Sequence, residues 1–230
     1  MKIPMQIFQT HKNRVVAKDC VKSWLHQEGY KHYFYDDMQL NRFMQNQSKD
    51  AYRAFGDVWA PAVKTDLWRY IILYENGGIY ADADIKLVKN LKDFVCDDNE
   101  LIVVYDDEIP CENIFQGFIA CAKGHPALKE AVDLTISNIL HRRYERNGDS
   151  KHNVFMISGP SMFGGIVKKY QCTYLLHQVD KVDKILNQSG ETLMLPQCLK
   201  GYPIDHYGNL KYIYKDHPFV PLHIQIESGQ

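Results

Sequence analysis

The chain has 230 residues, 45% of them apolar and 24% charged, with a formal net charge of -1, which suits a soluble globular domain with a full core. That balance offers no general attraction to nucleic acid or to an anionic membrane surface. No apolar run approaches the ~20 residues that span a bilayer, and the opening MKIPMQIFQTHKN lacks the pattern of a signal peptide, so a cytoplasmic location is expected.

In chain order, IPMQIF predicts a first strand with Gln9 and Thr10 at its polar exit. Residues 13–28 place Val16, Cys20, Val21 and Trp24 at helical spacing, with Gly29 as the stop. YKHYFYDD reads as a second strand. Strand, helix, strand this early predicts an α/β fold with a mostly parallel central sheet flanked by helices. Residues 38–60 are polar and aromatic and predict one or two short helices.

The central block AVKTDLWRYIILYENGGIYADAD, residues 62–84, carries the most information. Val63, Leu67, Tyr70, Ile71 and Tyr74 form a helical stripe, and Asn76-Gly77-Gly78 ends it. The following strand, IYADADI, carries Asp82 and Asp84 at its end. Residues i and i+2 share one face of a strand, so the two acids project together if the strand is regular, and diverge if it ends there. Such a pair can hold a hard divalent cation, Mn²⁺ or Mg²⁺, against a diphosphate. A sugar-nucleotide-dependent transferase is therefore the first functional expectation. Asp66 and Arg69, three residues apart on the helix, fit either an ordinary ion pair or an anchor for sugar hydroxyls and phosphate. Spacing alone leaves both open.

Beyond the block, ELIVVYDD and GFIACA predict strands, and HPALKEAVDLTISNIL a strong amphipathic helix. RRYERNGDSKHN reads as a solvated loop. After it come SGPSMFGG, a helix around IVKKY, and the strand-like TLMLPQCL and LKYIYKDH. Six scattered cysteines (Cys20, Cys96, Cys111, Cys121, Cys172 and Cys198) form no CxxC pair and read as reduced structural thiols.

IPMQIFQTHK, AVKTDLWRYIILYENGGIYADADI and ISGP together resemble the DxD sugar transferases of glycosyltransferase family thirty-two, which includes yeast initiating mannosyltransferases. The central block is also similar to the glucosyltransferase domains of large clostridial toxins. The resemblance implies a GT-A, Rossmann-like domain over residues 1–230, with 1–110 binding the nucleotide sugar and 111–230 forming the acceptor side. It implies a divalent metal, a nucleotide-sugar donor (UDP-sugar ahead of GDP-sugar) and retention of the anomeric configuration. The acceptor would be a glycan, a lipid-linked glycan or a protein, in surface polysaccharide or glycoconjugate synthesis, with peripheral membrane contact compatible. By position, Gln9 and Thr10 would lie beside the nucleoside, and Asp66 and Arg69 at the donor sugar. Tyr80 would lie at the nucleotide or simply face inward on its strand. Asp82 would contact ribose and sugar and join the metal shell, and Asp84 would bind the metal directly. Ser158 and Gly159, in the SGP turn, and Asn113 would complete the donor and acceptor side.

Two departures from the family pattern stand out. Phe8 and His11 flank Gln-Thr where the family commonly has His and Trp, and the C-terminal His-His-Trp motif is reduced to His217, with His206 as a weaker alternative for the metal. Two rivals remain: a haloacid-dehalogenase-like phosphatase, which also places D-x-D after a strand, and a non-catalytic nucleotide-sugar or glycan-binding module.

Overall fold

A computed structural model describes residues 2–12, 18–106, 113–144, 150–196 and 213–214. Among the described residues nine strands form one sheet: β1 (Gln6–Thr10), β2 (Lys31–Tyr35), β3 (Gly78–Ala81), β4 (Lys86–Leu87), β5 (Leu101–Asp106), β6 (Ile114–Cys121), β7 (Thr173–Gln178), β8 (Lys184–Leu186) and β9 (Thr192–Leu195), in the order β2-β1-β3-β6-β5-β7-β8-β9-β4. The α/β class stands, but the sheet is mixed. Among the described residues β1 pairs in parallel with β2 and β3, and β5 with β7, while the other five pairings are antiparallel. β6 enters between β3 and β5 in the reverse sense, because it lies antiparallel to both.

The predicted 13–28 helix appears as α1 (Lys18–Leu25), with Cys20, Val21 and Trp24 buried; Val16 lies outside the described residues. The polar stretch that follows folds as two helices. In α2 (Asp37–Gln45) the Asp36 carboxylate accepts from Gln39 N–H while the Gln39 side chain returns to the Asp36 backbone, a reciprocal cap. Ser48 caps α3 (Lys49–Asp57).

The helix α4 (Pro61–Asn76) opens with Pro61 in its first turn and buries Trp68, Ile72 and Leu73 as well as Val63, Leu67, Tyr70 and Ile71 of the predicted stripe, whose Tyr74 is partly buried. It is enclosed on most sides because α5 (Pro126–Leu140) packs along it and the sheet lies beneath. At its end Gly77 has φ +66 and Gly78 φ +102, and a Cβ would lie 2.5 Å from Lys123 N at the first and 2.7 Å from Gln6 O at the second. Only glycine lets the chain turn so tightly from α4 into β3 beside β1.

α6 (Ser150–Ile157) and α7 (Pro160–Val167) complete the α-helices among the described residues. The start of α6 lies within the stretch read as a solvated loop, because its charged opening residues conceal a helix whose later residues, Val154 and Ile157, are buried. α7 begins earlier than the predicted helix around IVKKY, at Pro160. Strands alternate between two apolar layers: Phe8 and Tyr80 face the layer built by α2 to α7, whereas Ile7 and Ile79 face the layer covered by Trp24 and the 85–95 segment. Cys20 and Cys121 are buried, and burial pushes the Cys121 pKa up, which leaves it unreactive. Among the described residues no helix is long and apolar enough to cross a membrane.

Candidate active site

The central strand β3 stops at Ala81, so both aspartates lie in the turn beyond it rather than on it. Asp82 N–H donates to Gly117 O at 2.8 Å, the last tie to β6, and Asp82 O accepts from Ile85 N–H at 3.1 Å, which closes the turn. The two carboxylates therefore leave the sheet at its end, where β1 and β3 both finish, a common place for ligands in open α/β sheets.

The residues on α4 meet them there. Asp66 and Arg69 are buried, and Arg69 Nη2 lies 3.2 Å from Asp66 Oδ1 and 3.8 Å from Asp82 Oδ1. The guanidinium stacks over the Tyr80 ring at 4.4 Å, and its Nη1 donates to Gln116 O. Burial opposes its charge, but Tyr80, Asp66 and Asp82 outweigh that cost and raise the Arg69 pKa, so it stays cationic. Arg69 Nε is buried without a hydrogen-bond partner among the described residues. Tyr80 donates its hydroxyl to Asp82 Oδ1, and burial holds its own pKa well above the ordinary value.

A second layer fixes Asp66. Ser158 Oγ donates to Asp66 Oδ2 at 2.7 Å, Tyr70 OH donates to Ser158 O at 2.7 Å, and Gln116 Nε2 donates to the Tyr70 hydroxyl and to Ser158 O. Gln116 and Tyr70 escaped the sequence reading as site residues. Gln116 lies on a strand that reads only as apolar, and Tyr70 as one more member of the helix stripe. Burial pushes the Asp66 pKa up to about 6, against the pull of Arg69 and Ser158.

That shift has a sign. A carboxylate whose pKa is raised in the folded state binds more protons folded than unfolded, so its contribution to stability rises as pH falls from about 6 towards 4. The stability of the native chain relative to Asp66→Asn is expected to increase by about 2–3 kcal/mol between pH 7 and pH 4, measured as paired urea titrations. A flat difference would contradict the burial of an ionised Asp66.

The remaining predicted residues divide. Gln9 is fully buried, and its Nε2 donates to Asp82 O at 3.3 Å while its Oε1 lies 2.8 Å from His32 Nε2. Thr10 Oγ1 donates to Tyr35 O at 2.8 Å and ties β1 to β2. Asn113 is buried ahead of β6 and its Oδ1 accepts from Ser161 Oγ at 2.7 Å. Gly159 is the N-cap of α7. His217 and His206 lie outside the described residues.

For the metal, Asp84 is half-buried, and burial together with the charge of Asp82 pushes its pKa up to about 7. Two neighbouring carboxylates at a sheet end are suited to a hard cation that neutralises both, and all their donors are oxygen. No cluster of three or more metal-ligating side chains occurs among the described residues. Two carboxylates suffice where donor phosphates and water complete the shell, as is usual for Mg²⁺.

Gly117 sets how closely these groups approach. A Cβ there would meet the Phe115 ring at 2.5 Å and Asp82 Oδ2 at 3.0 Å. Gly117→Ala is expected to cost about 1–3 kcal/mol of stability and to weaken Mn²⁺ binding, checked by urea denaturation and calorimetry.

Residues 14–106 match the glycosyltransferase sugar-binding region containing a DXD motif. The chain is 26% identical over 238 residues to the initiation-specific alpha-1,6-mannosyltransferase of Schizosaccharomyces pombe, covering 90% of this chain and 59% of that protein. It is 26% identical to an uncharacterized glycosyltransferase of Acanthamoeba polyphaga mimivirus (79% and 65% covered) and 23% identical to the Candida albicans initiation-specific alpha-1,6-mannosyltransferase (73% and 53% covered). The chain thus spans between 53% and 65% of the length of these relatives. Among solved structures, PaToxG glycosyltransferase superposes with a TM-score of 0.56 at 18% identity, over 73% of this chain and 69% of that one, which supports the GT-A fold. The resemblance read from the central block is borne out, and the DXD of the matched region is Asp82-Ala83-Asp84.

Proposed function

We propose that the chain is a metal-dependent retaining glycosyltransferase that moves a hexose from a nucleotide-sugar donor to a glycan, lipid-linked glycan or protein acceptor. Surface polysaccharide or glycoconjugate synthesis on the cytoplasmic side is its setting. The observation that carries this reading is the buried Asp66–Arg69 pair reaching out to the partly exposed Asp82, with Arg69 Nε lacking an acceptor among the described residues, beside the Asp82–Asp84 turn. A buried guanidinium N–H without a partner is costly, and a donor oxygen would satisfy it.

Asp82 and Asp84 would hold the cation. When bound, Mn²⁺ or Mg²⁺ supplies charge neutralisation for the departing diphosphate. Arg69 stays charged beside it and offers a fixed positive potential where negative charge develops. Asp66 has one oxygen on Arg69 and the other on Ser158, which suits an orienting carboxylate and not a free nucleophile. Retention then follows from attack on the same face that the diphosphate leaves, with a leaving phosphate oxygen taking the acceptor's proton. Ser158 and Asn113 would line the sugar and acceptor side, and Thr10 and Tyr80 the nucleotide side.

The test is thermal stabilisation by UDP-sugars and GDP-sugars with and without Mn²⁺, followed by donor turnover with candidate acceptors, UDP-sugars being tried first. A ligand that binds only the native state raises its melting temperature. Mn²⁺-dependent stabilisation followed by sugar release is expected. Binding without turnover would favour the non-catalytic module, and release of phosphate from a generic aryl phosphate would favour the phosphatase.

A further inference from the structure

Asp82 and Asp84 lie in the turn beyond β3, outside the strand ladder, so hydrogen bonds from neighbouring elements must hold that turn in register. The hydrogen bonds around it come from three directions. Asp82 N–H is tied to Gly117 O at 2.8 Å, Trp24 Nε1 donates to Ile85 O at 2.8 Å, and Leu87 N–H donates to Ser23 Oγ at 2.8 Å. The third direction is Gln9, whose Nε2 donates to Asp82 O at 3.3 Å.

Gln9 does not stand alone. It is 0% exposed, and its Oε1 lies 2.8 Å from His32 Nε2 on the edge strand β2. An amide oxygen only accepts, so Nε2 of His32 carries the proton and donates. The relay runs from His32 N–H to Gln9 Oε1, then from Gln9 N–H to Asp82 O. Both ends of the Gln9 amide are engaged by protein, and its side chain is shielded from solvent.

We infer that Gln9 and His32 are positioning residues that set the Asp82 turn, acting on the metal-binding acids through the backbone and not on the nucleoside. The relay reaches Asp82 O, the same atom that accepts from Ile85 N–H at 3.1 Å, so one carbonyl joins the turn's own closure to the outer strands. Loss of either relay member lets that carbonyl swing and moves the first acid of the motif relative to Arg69 and to the second. A misplacement of about 1 Å can cost on the order of 100-fold in rate. This inference rests on the transferase reading for its kinetic arm only.

The experiment compares Gln9→Leu, His32→Phe, the double variant and His32→Gln in the full chain. Hydrogen exchange at the Ile85 amide is followed in metal-free protein, Mn²⁺ affinity by calorimetry, and kcat and donor KM by turnover. The expected result is Ile85 exchange faster by about tenfold and Mn²⁺ binding weaker by about tenfold in both single variants, with kcat reduced and donor KM and base preference unchanged. The double variant should be no worse than either single one, because the two residues act through one bond path. His32→Gln, which keeps a donor, should restore native behaviour. Since β2 is an edge strand, the His32 variants decide the matter even if Gln9→Leu does not fold. Raised donor KM with kcat intact in Gln9→Leu, additive losses, or unchanged Ile85 exchange would each overturn the inference. Failure of the native chain to turn over any nucleotide sugar would sink the transferase reading, while the exchange and Mn²⁺ arms would still decide the relay.

Discussion

Asp84→Ala is expected to lower metal-stimulated donor turnover by about 100- to 1,000-fold while leaving the protein at least as stable as the native chain. The two effects have one cause. Asp84 is half-buried and its pKa is pushed up to about 7, so in the metal-free protein its charge is opposed by burial and by Asp82. Removing it relieves that opposition, whereas the neighbouring Asp82 accepts from Tyr80 and pairs with Arg69, and its loss would disturb both. Asp84→Ala therefore separates function from fold more cleanly than Asp82→Ala. The check is turnover across a Mn²⁺ titration alongside urea denaturation. Undiminished activity would remove Asp84 from the metal site, and a large drop in stability would mean that it holds the fold instead.

Much of this site was legible because its residues lie on one continuous helix–turn–strand. Gly77 and Gly78 mark where α4 must stop, the apolar IYA marks a strand, and acids beyond it can only lie at the sheet's end. Long-range pairing was not legible. Nothing in FQGFIAC says that β6 runs antiparallel between β3 and β5, and that reversal brings Gln116 O to Arg69 and Gly117 to Asp82. Short strands were missed for a related reason. β4 and β8 have two and three residues, too few to show alternation, and β7 exposes Leu176 while burying His177. Gln9 shows the limit most clearly. A polar residue at a strand's exit looks available to a ligand, and only the fold reveals that His32 and Asp82 O already engage it.

Arg69→Met is expected to cost about 3–5 kcal/mol of stability, because removing one partner of a buried pair leaves the other charge uncompensated. Asp66 would then keep only Ser158 against a burial that already pushes its pKa up to about 6. Methionine also forfeits the bond to Gln116 O and the stacking on Tyr80. Pairing it with Asp66→Leu removes the stranded charge, so the double variant should recover more than half of the lost stability, read from urea titrations of all four proteins. Activity should not follow. If Arg69 serves the departing diphosphate, the double variant stays as inactive as Arg69→Met, because apolar packing replaces the pair in the core but supplies no cation at the reacting end. Arg69→Lys tests the geometry in between. An ammonium keeps the charge but lacks the planar fork that reaches Asp66 and Gln116 O together while lying flat on Tyr80. It should retain more stability than Met yet little turnover. Recovery of both stability and turnover in the double variant would make Asp66–Arg69 an ordinary structural pair, the reading that their spacing alone left open.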